Sequence, residues 1–241
     1  MDYPVFQDEV PYLTTDQMRE VDRIMIEDYH IELIQMMENA GRSLAHLAKD
    51  RFLQGDPRGK RVVVLAGTGG NGGGAMVSAR RLQNYGASVH VFLSRPELDG
   101  VPAHQRDILR RMNIPVLNVV PDTVIEPLTV DLIIDGIIGY SLKGAPRGLS
   151  AEFIDWANAS GVPILALDTP SGLDTSTGTA HTPTIHAAAT LTLALPKVGL
   201  RSAAQVGELY VADLSVPPAL YADLGLQIGP IFAQNDILRI R

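Results

Sequence analysis

Two aspartates beside apolar segments are the residues of this sequence best placed to do chemistry. Asp135 lies inside the segment DLIIDGII (131–138), and Asp168 directly follows PILAL (163–167). A carboxylate in such surroundings is costly to bury unless it is hydrogen-bonded, protonated or bound to a metal ion. Carboxylates held in this way serve as general bases or as ligands of cations. For Asp135, a hydrogen bond to a neighbouring loop is an equally good explanation.

Lysine is the cation that such carboxylates would need as an acid or an electrostatic partner, particularly where burial lowers its pKa. Lys143 lies in the loop after the segment that contains Asp135, and the alternative for it is a solvated loop residue. Lys197 follows another apolar segment, where it could anchor a phosphate or cap a site, and the sequence favours neither. The chain has only four lysines, which are Lys49, Lys60, Lys143 and Lys197.

A glycine-rich segment, GTGGNGGG (67–74), stands between the apolar run RVVVLA (61–66) and a predicted helix. Glycines let a backbone approach a phosphate closely, and a helix N-terminus adds partial positive charge. The carboxyl ends of parallel strands meet at one edge of a sheet. We therefore expect this segment, Asp135 and Asp168 to converge on one crevice. The alternative is a tight turn that binds no ligand.

The same segment satisfies the dinucleotide pattern G-x-G-x-x-G at Gly67, Gly69 and Gly72. The pattern is weak by itself, and the acidic residue expected after the second strand is absent. Ser94 and Arg95 stand there instead, and an arginine could contact a 2′-phosphate or be solvated. An NADP-dependent oxidoreductase is the hypothesis that rests on this pattern alone.

Alternating helical and apolar segments predict an α/β fold with a parallel sheet and helices on both faces. Two leading helices, 14–28 and 33–52, precede an α/β unit over 60–216, and we expect one domain over 1–241. The predicted strands are 61–66, 88–93, 115–120, 131–138, 163–167, 190–195 and 209–214, and the later predicted helices are 76–85, 104–112 and 151–159.

Composition excludes several classes of protein. The 20 basic and 27 acidic residues give a net charge of −7, which argues against nucleic-acid and anionic-membrane partners. The absence of cysteine excludes disulfides, thiolate metal sites and thiol catalysis. No apolar run approaches the ~20 residues of a membrane span, and the acidic N-terminus is unlike a secretory signal. We therefore expect a cytoplasmic protein.

Taken in order, the motifs resemble those of the YjeF N-terminal domain family, whose activity is NAD(P)H-hydrate epimerase. The resemblance extends from about Leu13 to Pro217. The matching segments are LTTDQM (13–18), MENAGR (37–42), LAG-x-G-x-NGG (65–73), DLIID-x-x-x-G (131–139), D-x-PSGLD (168–174) and T-x-T-x-x-x-x-K (190–197).

The resemblance implies a three-layer αβα sandwich with a Rossmann-like, mostly parallel sheet of about seven or eight strands, usually as a homodimer. It implies a substrate, the C6-hydrated form of NADH or NADPH, whose R and S epimers the enzyme interconverts. A dehydratase then repairs the S form. Because the chain ends at Arg241, we expect that dehydratase to be a separate protein.

The resemblance also implies a site. Asp168 would be the general base, Lys143 its acid or electrostatic partner, and a potassium ion would be held by Asn71, Asp135 and Ser171. The residues expected to contact substrate, besides Asp168, are Asn39, Gly70, Asn71, Gly72, Gly73, Gly74, Gly139, Tyr140, Ser141, Leu142, Gly144 and Ala145.

One departure from the family pattern keeps a second hypothesis open. The family loop usually has the sequence Asn-Asn-Gly-Gly-Asp-Gly, whereas this chain has Gly70 and Gly74 in place of the first Asn and the Asp. Each hydrogen bond lost in this way is worth ~1 kcal/mol, and more when it is charged. The alternative to an epimerase is therefore a catalytically silent nucleotide-binding or adaptor module of the same type.

Overall fold

An eight-stranded sheet lies at the centre of the chain in a computed structural model that describes residue 3, residues 5–124 and residues 129–240. The strands are β1 (Arg61–Ala66), β2 (Ser88–Leu93), β3 (Val116–Leu117), β4 (Leu132–Gly136), β5 (Ile164–Leu167), β6 (Ala189–Leu193), β7 (Glu208–Ala212) and β8 (Ile237–Arg239). Their order is β3-β2-β1-β4-β5-β6-β7-β8. Neighbours are parallel except β7 and β8, which are antiparallel. This confirms the predicted mostly parallel sheet.

The described helices flank this sheet, and the first of them has a capped N-terminus. Thr14 and Gln17 form a capping box at the start of the first helix, each side chain accepting a hydrogen bond from the other's backbone N–H. The second helix changes to a π-helical turn over Ala48–Phe52. None of the described helices is long and apolar enough to cross a membrane. The helices are α1 (Thr15–Glu27), α2 (Leu33–Leu47), α3 (Gly70–Asn84), α4 (Gly100–Arg111), α5 (Leu149–Ala159) and α6 (Pro218–Asp223).

The side chains of β1 show why the fold has three layers. Val62 and Val64 pack in one core cluster, with residues of α2, α3 and α4, whereas Val63 and Leu65 pack in another, with residues of α5. Successive side chains of a strand point to opposite faces, so both faces of the sheet are covered by helices. A strand buried on both faces has an unbroken apolar sequence, and VVVLA (62–66) is such a sequence. The predicted αβα sandwich is confirmed.

The strand order reverses beside β1. From β1 the chain continues outward through β2 and β3, and then returns to place β4 on the other side of β1. Connections on either side of such a point leave in opposite directions and open a crevice at the carboxyl ends of the strands. The fold therefore places the loops after β1, β4 and β5 around one crevice.

Candidate active site

A cavity of about 570 Å³ opens at the carboxyl ends of β1, β4 and β5. Ligand sites in proteins usually have volumes of about 300–1,000 Å³. The loops after these strands form its floor, while α1 and α2 form part of its wall. The polar residues that line it include Asp22, Asn71, Tyr140 and Asp168.

Asp168 is the first residue after β5 and has an unusual backbone conformation. Its φ is +67°, in the left-handed region that few residues other than glycine adopt, although aspartate tolerates it better than most. Its N–H still pairs with the carbonyl of Leu191 in the neighbouring strand, at 2.7 Å. Only 3% of the residue is exposed. Strained backbone is common where a side chain must be aimed into a site.

Lys197 is the cation that pairs with Asp168. Its Nζ lies 2.5 Å from Asp168 Oδ1, and it also donates to the Leu193 carbonyl at 3.0 Å. The lysine is completely buried. The N–H of Tyr140 donates to the other carboxylate oxygen of Asp168 at 3.0 Å. A buried ion pair of this kind persists because both charges are also hydrogen-bonded.

The segment after β4 contributes fewer residues to the cavity than the sequence predicted. Gly139, Tyr140 and Ser141 line the cavity, whereas the four predicted residues that follow them in the chain do not. Of these four, Lys143 is exposed. Asn39 is half-buried on α2 and does not line the cavity either. Substrate contacts and catalysis by these residues stay predictions. The members outside the lining are Leu142, Lys143, Gly144 and Ala145.

The glycine segment forms the first turn of α3, which starts at Gly70 rather than at the predicted residue 76. Several glycines there allow close packing within the protein. A Cβ on Gly72 would lie 2.0 Å from the Gly67 carbonyl oxygen, and one on Gly73 would lie 2.6 Å from Met37 Sδ. A Cβ on Gly74 would lie 3.0 Å from Leu167 Cδ2.

Gly70, by contrast, is exposed and faces open space. A Cβ there would meet nothing closer than Met37 Cε at 3.9 Å. Thr68, Gly69, Gly70 and Asn71 line the cavity, whereas the buried Gly72, Gly73 and Gly74 lie behind that surface. Their predicted contacts with substrate stay predictions. The two departures from the family pattern thus differ, because Gly70 leaves room at the cavity and Gly74 packs against Leu167.

Alanine at Gly72 should destabilise the protein, whereas alanine at Gly70 should leave its stability nearly unchanged. We expect Gly72→Ala to lower the free energy of unfolding by about 3 kcal/mol, because the added methyl group meets backbone that cannot move freely. Gly70→Ala should leave it within about 1 kcal/mol of wild type, since alanine favours helix and the space is open. Urea unfolding measures both. Equal losses in the two variants would contradict this account of the glycines.

Asn71 and Gly139 join the three loops at the floor of the cavity. The Asn71 amide donates to the Leu167 carbonyl at 3.0 Å, which ties α3 to β5. A Cβ on Gly139 would lie 3.2 Å from Asp168 Oδ2 and 3.3 Å from Asn71 Cγ. Any side chain at residue 139 would therefore crowd the carboxylate, which gives the G of the D-x-x-x-G motif a physical reason.

Asp135 is completely buried beneath this floor. It accepts hydrogen bonds from the Ser171 N–H (2.8 Å), the Ser171 hydroxyl (2.6 Å) and the Ile137 N–H (3.2 Å). Burial raises its pKa to about 6, against the lowering effect of these bonds. The carboxylate thus links the loops after β4 and β5, which agrees with the explanation that Asp135 is buried because it hydrogen-bonds to a neighbouring loop. Among the described residues, no cluster of three or more His, Cys, Asp or Glu side chains suits a metal ion.

Sequence reasoning missed Asp22 on α1. Its Oδ2 accepts a 2.5 Å hydrogen bond from the Tyr140 hydroxyl, and both residues line the cavity. Burial raises the pKa of each of these side chains. The available signal was a carboxylate beside the helical stripe of Met18, Val21 and Met25, all of which are buried.

Several known proteins are similar to this chain in sequence and fold. The family model described as YjeF-related protein N-terminus matches residues 33–199. A protein named NAD(P)H-hydrate epimerase, from Dehalogenimonas lykanthroporepellens, is 43% identical over 217 residues, which cover 89% of this chain and 86% of the relative. Another of that name, from Rhodopirellula baltica, is 36% identical, with 89% and 87% covered.

Two further proteins extend the comparison. The bifunctional NAD(P)H-hydrate repair enzyme Nnr of Moorella thermoacetica is 37% identical, and the match covers 87% of this chain but 41% of that enzyme. The crystal structure of the yeast protein ynu0, YNL200c, superposes with a TM-score of 0.82 at 26% identity, covering 95% of this chain and 100% of that one. By sequence and by fold, the chain belongs to the family of the YjeF-related protein N-terminus.

Proposed function

We propose that this chain is an isomerase, an NAD(P)H-hydrate epimerase that interconverts the R and S forms of C6-hydrated NADH and NADPH. The observation that carries the proposal is the buried pair of Asp168 and Lys197, 2.5 Å apart, at the floor of a cavity at the switch point of the sheet. Relatives that bear this enzyme name cover most of the chain.

The chemistry inverts the configuration of a single carbon and requires proton transfers to and from the groups attached to it. C6 of the hydrate carries both a hydroxyl and the ring nitrogen, so epimerisation needs either loss and return of the hydroxyl or opening and closure of the ring. Either route needs an acid and a base, and a site that stabilises transient charge. Asp168 is the proposed base, and the ammonium of Lys197 supplies the balancing charge and a proton.

The first turn of α3 is the proposed cradle for the phosphates of the dinucleotide. Free N–H groups and the positive end of the helix dipole favour an anion there. Gly69 and Gly70 are exposed at the cavity wall, so a phosphate can approach the backbone. Ser94 and Arg95 line the same cavity at the end of β2. Because the whole chain is acidic, local groups of this kind must hold an anionic substrate.

A potassium ion held by Asn71, Asp135 and Ser171 is a further part of the proposal. The groups that act on the buried Asp135 carboxylate within the described chain are hydrogen-bond donors, and none of them is a cation. The Asn71 side chain uses its amide nitrogen on Leu167, so its oxygen is available. Oxygen donors around one uncompensated carboxylate suit a monovalent cation, which would hold the loops in place.

Replacing potassium with another cation should therefore destabilise the protein and slow epimerisation. In tetramethylammonium chloride at equal ionic strength, we expect a lower Tm and a rate at least about tenfold lower than in potassium chloride. An ion at a hundred times its Kd stabilises by about 2.7 kcal/mol. Asn71→Leu should lose the difference in Tm between the two salts. Identical melting curves of the wild type in both salts would contradict the potassium site.

The wider setting follows from the same reaction. We propose that the S epimer passes to an NAD(P)H-hydrate dehydratase, that the chain works as a homodimer and that it acts in the cytoplasm. The bifunctional relative, much of which lies beyond the match, supports the link to a repair enzyme.

A single assay distinguishes the proposed epimerase from a catalytically silent nucleotide-binding module. The purified chain is incubated with the separated R hydrate of NADH or NADPH, and the S form is followed by chromatography. An epimerase produces S faster than the spontaneous reaction. A silent module binds the nucleotide, as isothermal titration would detect, without accelerating the reaction.

A further inference from the structure

The cavity contains a second carboxylate in an environment unlike that of Asp168. Asp168 contacts the ammonium of Lys197, whereas Asp22 contacts the neutral hydroxyl of Tyr140. Asp22 is contributed by α1, a different element from the strand ends that carry the floor. Tyr140 connects the two acids, since its N–H donates to Asp168 and its hydroxyl donates to Asp22.

The charged and titratable groups around Asp22 differ from those around Asp168. The groups that face Asp22 are Tyr140, Lys197 and Asp168, and Arg19 on its own helix acts on Tyr140. Burial is the largest influence on Asp22, and it raises the pKa of that carboxyl. Two titratable groups whose surroundings differ in this way often divide the acid and base roles of a site.

The proposed reaction requires a second proton-transfer group. When the hydroxyl leaves one face of C6, it takes a proton and departs as water with the C6–O electron pair. The lone pair of the ring nitrogen then forms a C=N double bond. Water adds to the opposite face and must give up one proton there. The proton gained by the leaving group and the proton released by the incoming water balance.

We propose that Tyr140 and Asp22 form this second proton-transfer unit, on the side of the substrate opposite Asp168 and Lys197. The Tyr140 hydroxyl accepts the proton of the incoming water and passes its own to Asp22 Oδ2 over the 2.5 Å hydrogen bond. Lys197 supplies the other proton through Asp168, and exchange with solvent restores both pairs. In the opposite direction the roles reverse, so that Asp168 is the base that accepts the proton of the incoming water and Asp22 protonates the leaving hydroxyl through Tyr140. The inference rests on the proposed epimerase function and assigns Asp22 a part in it.

The discriminating variant is Asp22→Asn, because an asparagine oxygen still accepts the hydrogen bond of Tyr140 but does not take its proton. We expect kcat to fall about 100-fold or more while KM stays within about twofold. Tyr140→Phe, which removes the hydroxyl and keeps the ring, should behave in the same way. Asp16→Asn is the matched control, since Asp16 lies on the same helix with its side chain 90% exposed, and it should have wild-type kcat.

The possible outcomes distinguish failure of this inference from failure of the proposed function on which it rests. A wild-type chain that does not accelerate epimerisation overturns the proposed function and this inference together. An active wild type with an equally active Asp22→Asn variant overturns this inference alone. A variant with raised KM and unchanged kcat also overturns it, because Asp22 would then only shape the binding site. Thermal melting of each variant shows whether it is folded, and Tyr140→Phe provides the test if Asp22→Asn does not fold.

Discussion

Asp168→Asn should abolish measurable epimerisation, with a fall in kcat of at least about 10³-fold. The asparagine keeps the size of the side chain and an acceptor for the Tyr140 N–H, but it cannot take a proton at this position. General-base catalysis contributes about 10²–10⁴-fold in enzymes, and the lost charge also removes stabilisation of the cationic form of the substrate. The rate is measured with purified R hydrate at saturating concentration, after subtraction of the spontaneous rate.

The matched control for this variant is Asp155→Asn, because Asp155 is an exposed carboxylate on α5. It should keep the wild-type rate. Nucleotide binding by Asp168→Asn, measured by titration with the hydrate, shows whether the site is still assembled. A variant that is folded, binds the hydrate and still turns it over at the wild-type rate would refute the base role of Asp168.

Lys197→Met should be the most destabilising single substitution at the site, lowering the free energy of unfolding by about 3–5 kcal/mol. Methionine fills a similar volume, so the loss comes from the charge that remains. Asp168, only 3% exposed, would keep its carboxylate without its counterion. Within the described part of the chain, the Tyr140 N–H would be the hydrogen-bond donor left to that carboxylate. Urea unfolding at neutral pH measures the loss, and the epimerisation rate should fall with it.

Two further variants test the physical reason for this loss. Asp168→Asn combined with Lys197→Met removes both charges, so the double variant should lose less stability than the two single losses added together. Lys143→Met is the control for the lysine, because Lys143 is exposed, and its stability should stay within about 0.5 kcal/mol of wild type. The rate of this control also tests the catalytic role that the sequence predicted for Lys143. Strict additivity in the double variant would show that the ion pair is not the source of the stability.

Local sequence predicts the buried strands of this fold well and its C-terminal elements poorly. Residues 61–66 and 88–93 form β1 and β2 with the predicted bounds, because unbroken apolar runs mark strands buried on both faces. β8, which is the antiparallel edge, has three residues, Ile237–Arg239, too few for a periodic pattern. The six-residue helix α6 was missed for the same reason.

The start of α3 shows where intrinsic preference fails. Glycine disfavours helix by about 1 kcal/mol relative to alanine, so the sequence placed the glycine segment in a turn. In the structure these residues are helical because their lack of side chains lets Gly72 approach Gly67 and Gly73 approach Met37. Tertiary packing outweighs local preference here, and no periodicity in a single sequence carries that information.

Sequence also identified the carboxylate of the site but not its partner. Asp168 follows an apolar strand directly, so its place at the sheet edge was predictable. Lys197 comes from the loop after a different strand, and its Nζ reaches Asp168 only because β5 and β6 are neighbours in the sheet. Asp22 reaches the cavity through the docking of α1. Contacts of this kind depend on how elements assemble, which the motifs of one chain do not specify.

The most direct test of the epimerase function is the initial rate at which the purified wild-type chain converts the R hydrates of NADH and NADPH into the S forms, with potassium present. We expect a rate well above that of the spontaneous reaction, and this excess should disappear in Asp168→Asn. A wild-type rate equal to the spontaneous one, from folded protein that binds the hydrate, would contradict the claim that this cavity is the active site of an epimerase.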